Sequence, residues 1–447
     1  MNLNHPDRPV AVLGLGYVGL PLAVALGHAG ISVIGIDLDT RKIQMLAEGK
    51  SYIPDVPTEQ IAALVERKLL HATTDYDTLR QADSIFICVP TPFDANKAPD
   101  LTAVKQAAEG IAPRLQRGQM IVLQSTTYPG TTEEIVLPIL TAGSGLKAGV
   151  DFDLAFSPER IDPGNKQFNV INTPKVVGGI NEQSTQRAAS LLRRIGAPVE
   201  IVSSTCAAEM TKLLENIFRS VNIALVNEMA LLCERMGIDI WEVIRAASTK
   251  PFGYMPFTPG AGVGGHCIPI DPLYLSWKAH EYDFHTNFID LAAQVNQSMP
   301  YHVVDLAAQG LARYGVRQSL NGAQVLVLGV AFKRDIDDAR ESPAKRVIEL
   351  LMMRGASVEY HDPYVPRFHV GGNVFHRELL WLESVPLSDE TLAKYDCVVI
   401  VTGHRCVDYA RVVSQSKLVI DACNATAQVI EGREKIVRLG APLFAEA

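Results

Sequence analysis

A cysteine stands in a glycine- and proline-rich segment, GGHCIPID, at residues 264–271. The thiol of Cys267 could act as a nucleophile, as a metal ligand or as a small core residue. The surrounding stretch, KPFGYMPFTPGAGVGGHCIPIDP, interrupts all helical and strand periodicity. Long irregular segments inside compact proteins are more often functional sites than plain connections. We therefore consider Cys267 a candidate catalytic residue.

The other cysteines and histidines do not indicate a metal site. The chain has seven cysteines, an odd number, and none lies in a CxxC pair, so neither a disulfide framework nor a zinc ribbon is predicted. The segment HEYDFH places His280 and His285 five residues apart, whereas two ligands on one helical face are four apart. We expect no metal.

A second group of residues has the spacing of a dinucleotide-binding turn. Gly14, Gly16 and Gly19 directly follow the strand-like run VAVL and open a helical pattern. In this context the glycines permit the tight turn, the approach of backbone to a pyrophosphate and the packing of helix on strand. Asp37 ends the next strand, where a carboxylate accepts ribose hydroxyls and repels a 2′-phosphate. The pattern predicts NAD rather than NADP.

The two groups together indicate a reaction type. An NAD-dependent enzyme removes a hydride from a carbon that bears oxygen, and simple alcohol oxidation needs only a base. Oxidation of an aldehyde requires a tetrahedral adduct from which the hydride can leave, and a thiolate can form that adduct. Cys267 in an NAD-binding chain therefore suggests oxidation beyond the aldehyde.

Composition restricts the partners. The chain has 447 residues and a formal net charge of -8, which argues against nucleic-acid binding but allows a local basic pocket for an anionic ligand. It begins without the charged region and cleavage site of a signal peptide, and no apolar run reaches membrane-spanning length. We expect a cytoplasmic protein with neither a nucleic-acid nor a membrane partner.

The strands and helices that the sequence predicts must position these residues. Strand candidates at 10–13, 84–90 and 120–126 alternate with helical stretches, and a helix without proline is predicted for about 205–236. After residue 321, strands near 357–363, 397–403 and 418–424 weakly repeat the first region, with Asp362 matching Asp37. We predict an α/β fold with two Rossmann-like, doubly wound parallel sheets joined by a helical middle domain with a long helix. The predicted boundaries are 1–200, 201–318 and 319–447.

Several motifs resemble those of one family, in that family's order. Besides GGHCIPID, these are QSTTYPGTT (124–132), SPERIDPG (157–164), TKLLENIFRSVNIALVNE (211–228) and GVAFKRDIDDARESPA (329–344). They are similar to the signatures of the UDP-glucose and GDP-mannose dehydrogenase superfamily, and the resemblance covers essentially the whole chain. The Cys267 segment looks most like the branch that acts on UDP-N-acetylhexosamines, particularly the UDP-N-acetylglucosamine 6-dehydrogenases.

The resemblance implies a four-electron oxidation at C6, through a thiohemiacetal and a thioester on Cys267, for surface polysaccharide biosynthesis. It implies two NAD per UDP-sugar, a C-terminal UDP-binding domain, and a homodimer or higher homo-oligomer built on the long helix. The implied catalytic residues are Cys267, Lys212, Asn216, Asp271, Thr126 and Glu159. The implied cofactor-binding residues are Gly14, Gly16, Tyr17, Val18, Gly19, Asp37, Thr91 and Arg340. The implied substrate-binding residues are Glu159, Arg160, Lys212, Asn216, Lys250, Gly264, His266 and Lys333.

Two departures from the pattern argue against UDP-glucose as the substrate. Ile270 occupies a position where UDP-glucose dehydrogenases usually have lysine, and Pro163 replaces a second acid. UDP-GlcNAc is the first expectation, with UDP-GalNAc, UDP-ManNAc and UDP-glucose as alternatives. Two hypotheses from other classes remain, namely a single-step dehydrogenase of the 6-phosphogluconate type and an inactive NAD-binding scaffold. The single-step dehydrogenase needs no cysteine. The presence of Cys267, Lys212 and Asp271 argues against the inactive scaffold.

Overall fold

Eight strands of the N-terminal half form one sheet in the computed structural model, which describes residues 8–93, 98–162, 164–165, 167–314 and 317–442. The chain forms two compact units. The first comprises Met1–Glu215 and Leu273–His285, and the second comprises Asn216–Pro272 and Thr286–Ala447. The division into three domains predicted from the sequence stays a prediction.

The sheet of the first unit has the strand order β3-β2-β1-β4-β5-β6-β7-β8. All neighbouring strands are parallel except β6 and β7, which pair antiparallel. The strands are β1 (Val10–Leu13), β2 (Val33–Ile36), β3 (Leu70–Thr73), β4 (Ser84–Ile87), β5 (Met120–Leu123), β6 (Asp153–Phe156), β7 (Lys175–Gly179) and β8 (Val199–Ile201). The first six follow the 3-2-1-4-5-6 order of dinucleotide-binding folds.

Helices cover both faces of this sheet, because its central strands are apolar on both sides. All four residues of β1 are buried; Val10 and Val12 belong to one core, whereas Ala11 and Leu13 belong to the other. The covering helices are α1 (Gly19–His28), α2 (Thr40–Ala47), α3 (Thr58–Glu66), α4 (Thr102–Ile111), α5 (Leu137–Ser144) and α6 (Glu182–Arg194). A π-helical turn, Thr132–Val136, leads directly into α5.

The long helix predicted from the sequence is present as α7 (Thr205–Met236). Its residues up to Glu215 belong to the first unit and the remainder to the second. It is followed by α8 (Ile240–Ala247), by the irregular Cys267 segment, and by α9 (Asp271–Ala279). The next helix, α10 (Asn287–Tyr314), continues through Pro300, which the sequence analysis did not foresee.

The second unit contains a five-stranded parallel sheet in the order β10-β9-β13-β14-β15. Its strands are β9 (Gln324–Leu328), β10 (Ser357–His361), β13 (Cys397–Ile400), β14 (Val419–Asp421) and β15 (Ile436–Arg438). The accompanying helices are α11 (Pro343–Met353), α12 (Asp389–Lys394) and α13 (Tyr409–Gln415). An antiparallel hairpin, β11 (Arg367–Gly371) and β12 (Leu379–Glu383), is an addition that the sequence analysis missed.

The predicted fold class, two doubly wound α/β sheets with a long helix, is confirmed. In the second sheet too, Val325 and Val327 belong to one core, while Leu326 and Leu328 belong to the other. Among the residues that the structure describes, no helix is both long enough and apolar enough to cross a membrane.

Candidate active site

The glycine turn after β1 has room for glycine alone at two of its positions. Gly14 has a φ of +87°, and a Cβ on it would lie 2.5 Å from the carbonyl oxygen of Cys88. A Cβ on Gly19 would lie 1.9 Å from the carbonyl oxygen of Gly14. A Cβ on Gly16, by contrast, would meet nothing within 4 Å. A side chain would therefore clash at Gly14 and at Gly19, whereas the space next to Gly16 is free.

This turn and the start of α1 fit the pyrophosphate of NAD. The N-cap residue, Val18, provides no capping side chain, and the first turn of α1 contains no acidic residue. The N–H groups of a helix N-terminus attract a phosphate, whereas an acidic side chain in the first turn of the helix would repel it. The open space at Gly16 and the half-exposed Tyr17 border the same turn.

Asp37 lies just past the end of β2 and is tied to the glycine turn. Its Oδ2 accepts hydrogen bonds from the Leu15 amide at 2.8 Å and from Lys42 Nζ at 2.9 Å. Its Oδ1 accepts a hydrogen bond from the Asp39 amide at 2.9 Å. The carboxylate thus has a defined orientation beside the turn, as a residue that binds the NAD ribose requires.

A hydrogen bond also joins the segments that follow β4 and β5. Thr91 is buried, and its Oγ1 donates to the Thr126 carbonyl oxygen at 2.8 Å. Tyr274, near the start of α9, donates its hydroxyl to the Thr91 carbonyl oxygen. Thr126 itself is half-buried. Both threonines named from the sequence therefore lie at the C-terminal edge of the first sheet, where doubly wound folds bind ligands.

Glu159 is placed in a buried ion pair that the sequence analysis did not identify. Lys175 Nζ lies 2.8 Å from both carboxylate oxygens of Glu159. The amides of Arg160 and Ile161 also donate to the carboxylate, at 2.7 and 3.1 Å. The sequence signal for this pair was a lysine at the first position of an otherwise apolar strand. A lysine that is buried there needs an acidic or polar partner.

Lys212 and Arg160 complete the candidates of the first unit. Lys212 is buried on α7. The guanidinium of Arg160 donates to the carbonyl oxygen of Pro174 at 2.7 Å and to the carboxylate of Glu215 at 2.5 Å. Arg160 thereby connects the SPER segment to α7, directly before Asn216.

The second unit brings together three of the predicted catalytic residues. The amides of Ile270 and Asp271 donate to the carbonyl oxygen of Cys267, at 3.1 and 2.8 Å, so that the loop turns directly into α9. Asn216 Nδ2 donates to Asp271 Oδ2, and both side chains are buried. Arg219, which the sequence analysis missed, donates to Asn216 Oδ1. The arginine orients the amide of Asn216, because a guanidinium only donates hydrogen bonds.

The Cys267 segment is also held by backbone and side-chain contacts within this unit. The Gly265 amide donates to the Arg340 carbonyl oxygen at 3.2 Å. The Gly260 amide donates to Oδ1 of the buried Asn227 at 3.0 Å, and Asn227 Nδ2 donates to Asn296 Oδ1 at 2.9 Å. A Cβ on Gly264 would lie 2.8 Å from Phe332 Cβ, so this glycine allows close packing. Two helices and the loop before α11 thus position the cysteine.

The basic and titratable residues around this segment differ in exposure. Burial, with the nearby Arg340 guanidinium, lowers the pKa of His266, so its imidazole is neutral at physiological pH. Arg340 is exposed and pairs with Asp338. Lys333 is half-buried, whereas Lys250 is exposed and lies over the ring of Phe252.

The predicted residues therefore fall into two groups. The first unit contains Gly14, Gly16, Tyr17, Val18, Gly19, Asp37, Thr91, Thr126, Glu159, Arg160 and Lys212. The second unit contains Asn216, Lys250, Gly264, His266, Cys267, Asp271, Lys333 and Arg340. No cluster of potential metal ligands occurs among the described residues.

Comparison with known proteins gives a consistent family. Models of the UDP-glucose/GDP-mannose dehydrogenase family match the chain with the NAD binding domain at residues 8–196, the central domain at 206–298 and the UDP binding domain at 326–428. The UDP-N-acetyl-D-glucosamine 6-dehydrogenase of Pseudomonas aeruginosa is 36% identical over 89% of this chain and 91% of its own length. A UDP-N-acetyl-D-mannosamine dehydrogenase of Methanococcus maripaludis is 32% identical over 90% and 87%, respectively.

The solved structure of a UDP-D-ManNAc dehydrogenase from Pyrococcus horikoshii has the same fold. It superposes with a TM-score of 0.87 at 30% identity and covers 98% of this chain and 100% of its own. The match to the NAD binding domain confirms NAD as the predicted cofactor. The chain therefore belongs to the UDP-glucose/GDP-mannose dehydrogenase family, whose members are NAD-dependent nucleotide-sugar dehydrogenases.

Proposed function

We propose that the protein oxidises the C6 hydroxyl of a UDP-N-acetylhexosamine to a carboxylate, with UDP-GlcNAc as the preferred substrate. The observation that carries this proposal is the buried Asn216–Asp271 contact next to Cys267 in a chain of this family. The relatives named above act on both GlcNAc and ManNAc nucleotides. UDP-ManNAc, UDP-GalNAc and UDP-glucose are therefore alternative substrates.

NAD, when bound, supplies the hydride acceptor, and each of the two oxidation steps consumes one NAD. The residues that would hold it are Gly14, Gly16, Tyr17, Val18, Gly19, Asp37 and Thr91, and Arg340 would reach the NAD of a neighbouring active site. The uncapped start of α1 and the open space at Gly16 suit its pyrophosphate.

Cys267 carries the covalent chemistry in this proposal. Its thiolate adds to the C6 aldehyde and forms the alkoxide of a thiohemiacetal, which loses a hydride to become a thioester. Water then attacks the thioester carbon, the C–S bond breaks, and the uronate leaves while Cys267 is restored. The overall reaction removes four electrons from the substrate.

The other catalytic candidates act on charges and protons around C6. Lys212 and Asn216 donate hydrogen bonds to the C6 oxygen as negative charge develops on it. Asp271 and Thr126 orient the attacking water, and Glu159 accepts a proton from it during hydrolysis. The contact of Asn216 with Asp271 supports a shared role for these two side chains.

Substrate binding is assigned to a set rich in donors and cations. In addition to Glu159, Lys212 and Asn216, these residues are Arg160, Lys250, Gly264, His266 and Lys333. Lys333, Lys250 and Arg160 carry positive charge that suits a diphosphate in a protein whose net charge is -8. The neutral imidazole of His266 can both donate and accept hydrogen bonds to sugar hydroxyls.

We also propose a homodimer or higher homo-oligomer. Four residues of α7 within the second unit form an exposed apolar stripe, namely Phe218, Leu225, Leu232 and Met236. Their spacing of seven, seven and four residues places them on one side of the helix. Such a stripe suits pairing with the same helix of a second copy.

The yield of NADH tests the proposed reaction. Limiting UDP-GlcNAc, UDP-GalNAc, UDP-ManNAc, UDP-glucose and GDP-mannose are each incubated with excess NAD until the reaction stops. We expect two NADH per UDP-GlcNAc, formed faster than from the other sugars, and no net uronate from Cys267→Ser. Cys406→Ser, at an exposed cysteine without an assigned role, should retain activity.

Each other outcome would point to a different function. One NADH per sugar would contradict the thioester route and indicate a single-step dehydrogenase. Tight NAD binding without NADH from any sugar nucleotide would indicate a scaffold that has lost its chemistry. Unchanged turnover of Cys267→Ser would remove the covalent mechanism.

A further inference from the structure

The ion pair between Lys175 and Glu159 is enclosed in the first unit. Lys175 is 0% exposed and Glu159 is 6% exposed. The ammonium lies 2.8 Å from each carboxylate oxygen, in contact with both. Because a buried charge without a partner is costly, removal of either group would leave an uncompensated charge on the other.

The remaining contacts of Glu159 also favour its ionised form. Its carboxylate accepts hydrogen bonds from the Arg160 and Ile161 amides and from Gln124 Nε2, the last at 3.1 Å. An ionised carboxylate only accepts hydrogen bonds, whereas a protonated one must also donate. All of these neighbours donate, so they favour the carboxylate over the neutral acid.

Gln124 is itself held in one orientation. Cys88 Sγ donates to Gln124 Oε1 at 3.3 Å, which directs Nε2 of the same amide at Glu159. Burial raises the pKa of the Cys88 thiol, and the charge of Glu159 raises it further, so the thiol remains a donor. The donors therefore run in one direction, from Cys88 to Gln124 to Glu159, while Lys175 contacts both oxygens of the same carboxylate.

We propose that Lys175 is a positioning residue that keeps Glu159 ionised and oriented to accept a proton from water in thioester hydrolysis. This inference rests on the proposed function. In that step the water oxygen bonds to the thioester carbon, and the C–S bond breaks. Cys267 leaves as a thiolate, the water proton passes to Glu159, and the uronic acid then loses its own proton to solvent.

The pH profile of uronate formation tests this role, because a purely structural role of Lys175 would not move it. In Lys175→Met the buried carboxylate loses its cation, so the acidic limb of the profile should move up by about one pH unit or more. At neutral pH, hydrolysis should slow by about tenfold or more, and thioester should accumulate on Cys267. Intact-protein mass spectrometry of quenched reactions measures the thioester.

Matched variants separate charge from packing. Lys175→Arg keeps the cation and should retain the wild-type profile. In a Glu159→Gln background, Lys175→Met should cause no additional change in the profile. Lys278→Met removes another buried lysine of the same unit, paired with Glu134 and Glu281, and should leave the profile unchanged.

The NADH yield of the wild-type enzyme distinguishes failure of this inference from failure of the proposed function. If wild type gives two NADH per sugar but Lys175→Met has a wild-type profile and no thioester, Lys175 does not have this role. If wild type gives no second NADH, the proposed function itself fails. Should Lys175→Met not fold, the infrared difference between wild type and Glu159→Gln at mildly acidic pH decides. A carboxylate band supports the inference, and a protonated carboxyl band overturns it.

Discussion

At the scale of single residues, Glu209 is a second buried carboxylate, and its hydrogen bonds connect two segments of the first unit. It lies on α7, and its oxygens accept hydrogen bonds from the Gly130 amide at 2.6 Å and from the amide and hydroxyl of Thr132 at 2.9 and 2.7 Å. Burial raises the pKa of Glu209 to about 7, although these donors oppose the shift. The residue connects α7 to the segment that carries Thr126.

We predict that Glu209 makes the stability of the protein depend on pH. The folded state holds its proton more tightly than the unfolded chain, whose value is near 4.5. Its stabilising contribution is therefore complete below about pH 4.5 and is lost as pH rises through about 7, by up to about 3 kcal/mol. Denaturant unfolding of wild type and Glu209→Gln between about pH 5 and pH 8 measures this loss.

In this comparison, wild type should lose stability relative to Glu209→Gln as pH rises. Glu66→Gln, at an exposed position at the end of α3, should differ from wild type by a constant amount over the same range. A constant difference for Glu209→Gln as well would show that Glu209 does not hold its proton differently in the folded state.

At the scale of elements, different glycines of the β1–α1 turn are needed for folding and for ligand binding. Gly14 needs its positive φ and would contact Cys88 through a Cβ, whereas Gly16 faces open space. The two glycines of one motif therefore have different physical tasks. One shapes the turn, and the other leaves the space that a pyrophosphate would occupy.

We predict that alanine affects stability at position 14 and NAD affinity at position 16. Gly14→Ala should destabilise the protein by about 2 kcal/mol or more, because of strain and the close contact. Gly16→Ala should change the free energy of unfolding by less than about 1 kcal/mol but raise the Kd for NAD by about tenfold or more. Thermal unfolding and NAD titration of both variants provide the measurements. Wild-type NAD affinity in Gly16→Ala would contradict the assigned site.

At the scale of the whole molecule, the exposed apolar stripe on α7 predicts self-association. Leu225 is 56% exposed and Leu232 is 45% exposed, one heptad apart on a helix of 32 residues. Scattered exposed apolar residues are ordinary, but a row of them along a long helix is typical of an interface. The proposed assembly uses this row on both copies.

We predict that the double variant Leu225→Glu/Leu232→Glu is a monomer, because two carboxylates on each helix would lose hydration and repel each other in the pair. Sedimentation velocity should show wild type as a dimer or larger. Val374→Glu adds a carboxylate at an apolar residue that is 87% exposed between β11 and β12, and it should sediment like wild type. A monomeric wild type, or a double variant that still associates, would exclude this interface.

Much of the fold could be predicted, because its signals are local. Apolar runs such as VAVL, the glycine turn and the proline-free stretch of α7 determine strands and helices over a few residues. The β11–β12 hairpin and the passage of α10 through Pro300 were missed, since neither has a distinct local pattern. In α10, packing of the helix outweighs the cost of the proline.

The sequence by itself determined the chemical groups of this protein: a dinucleotide turn with Asp37, and Cys267 with Asp271 in an irregular segment. Only the tertiary structure decided their partners. Lys175 meets Glu159 because the start of β7 lies against the segment after β6, and Asn216 meets Asp271 across 55 residues. Such contacts depend on how distant segments pack, and local periodicity carries no information about that packing. Residue types are a local property, whereas the charge and orientation of a buried side chain are set by its neighbours.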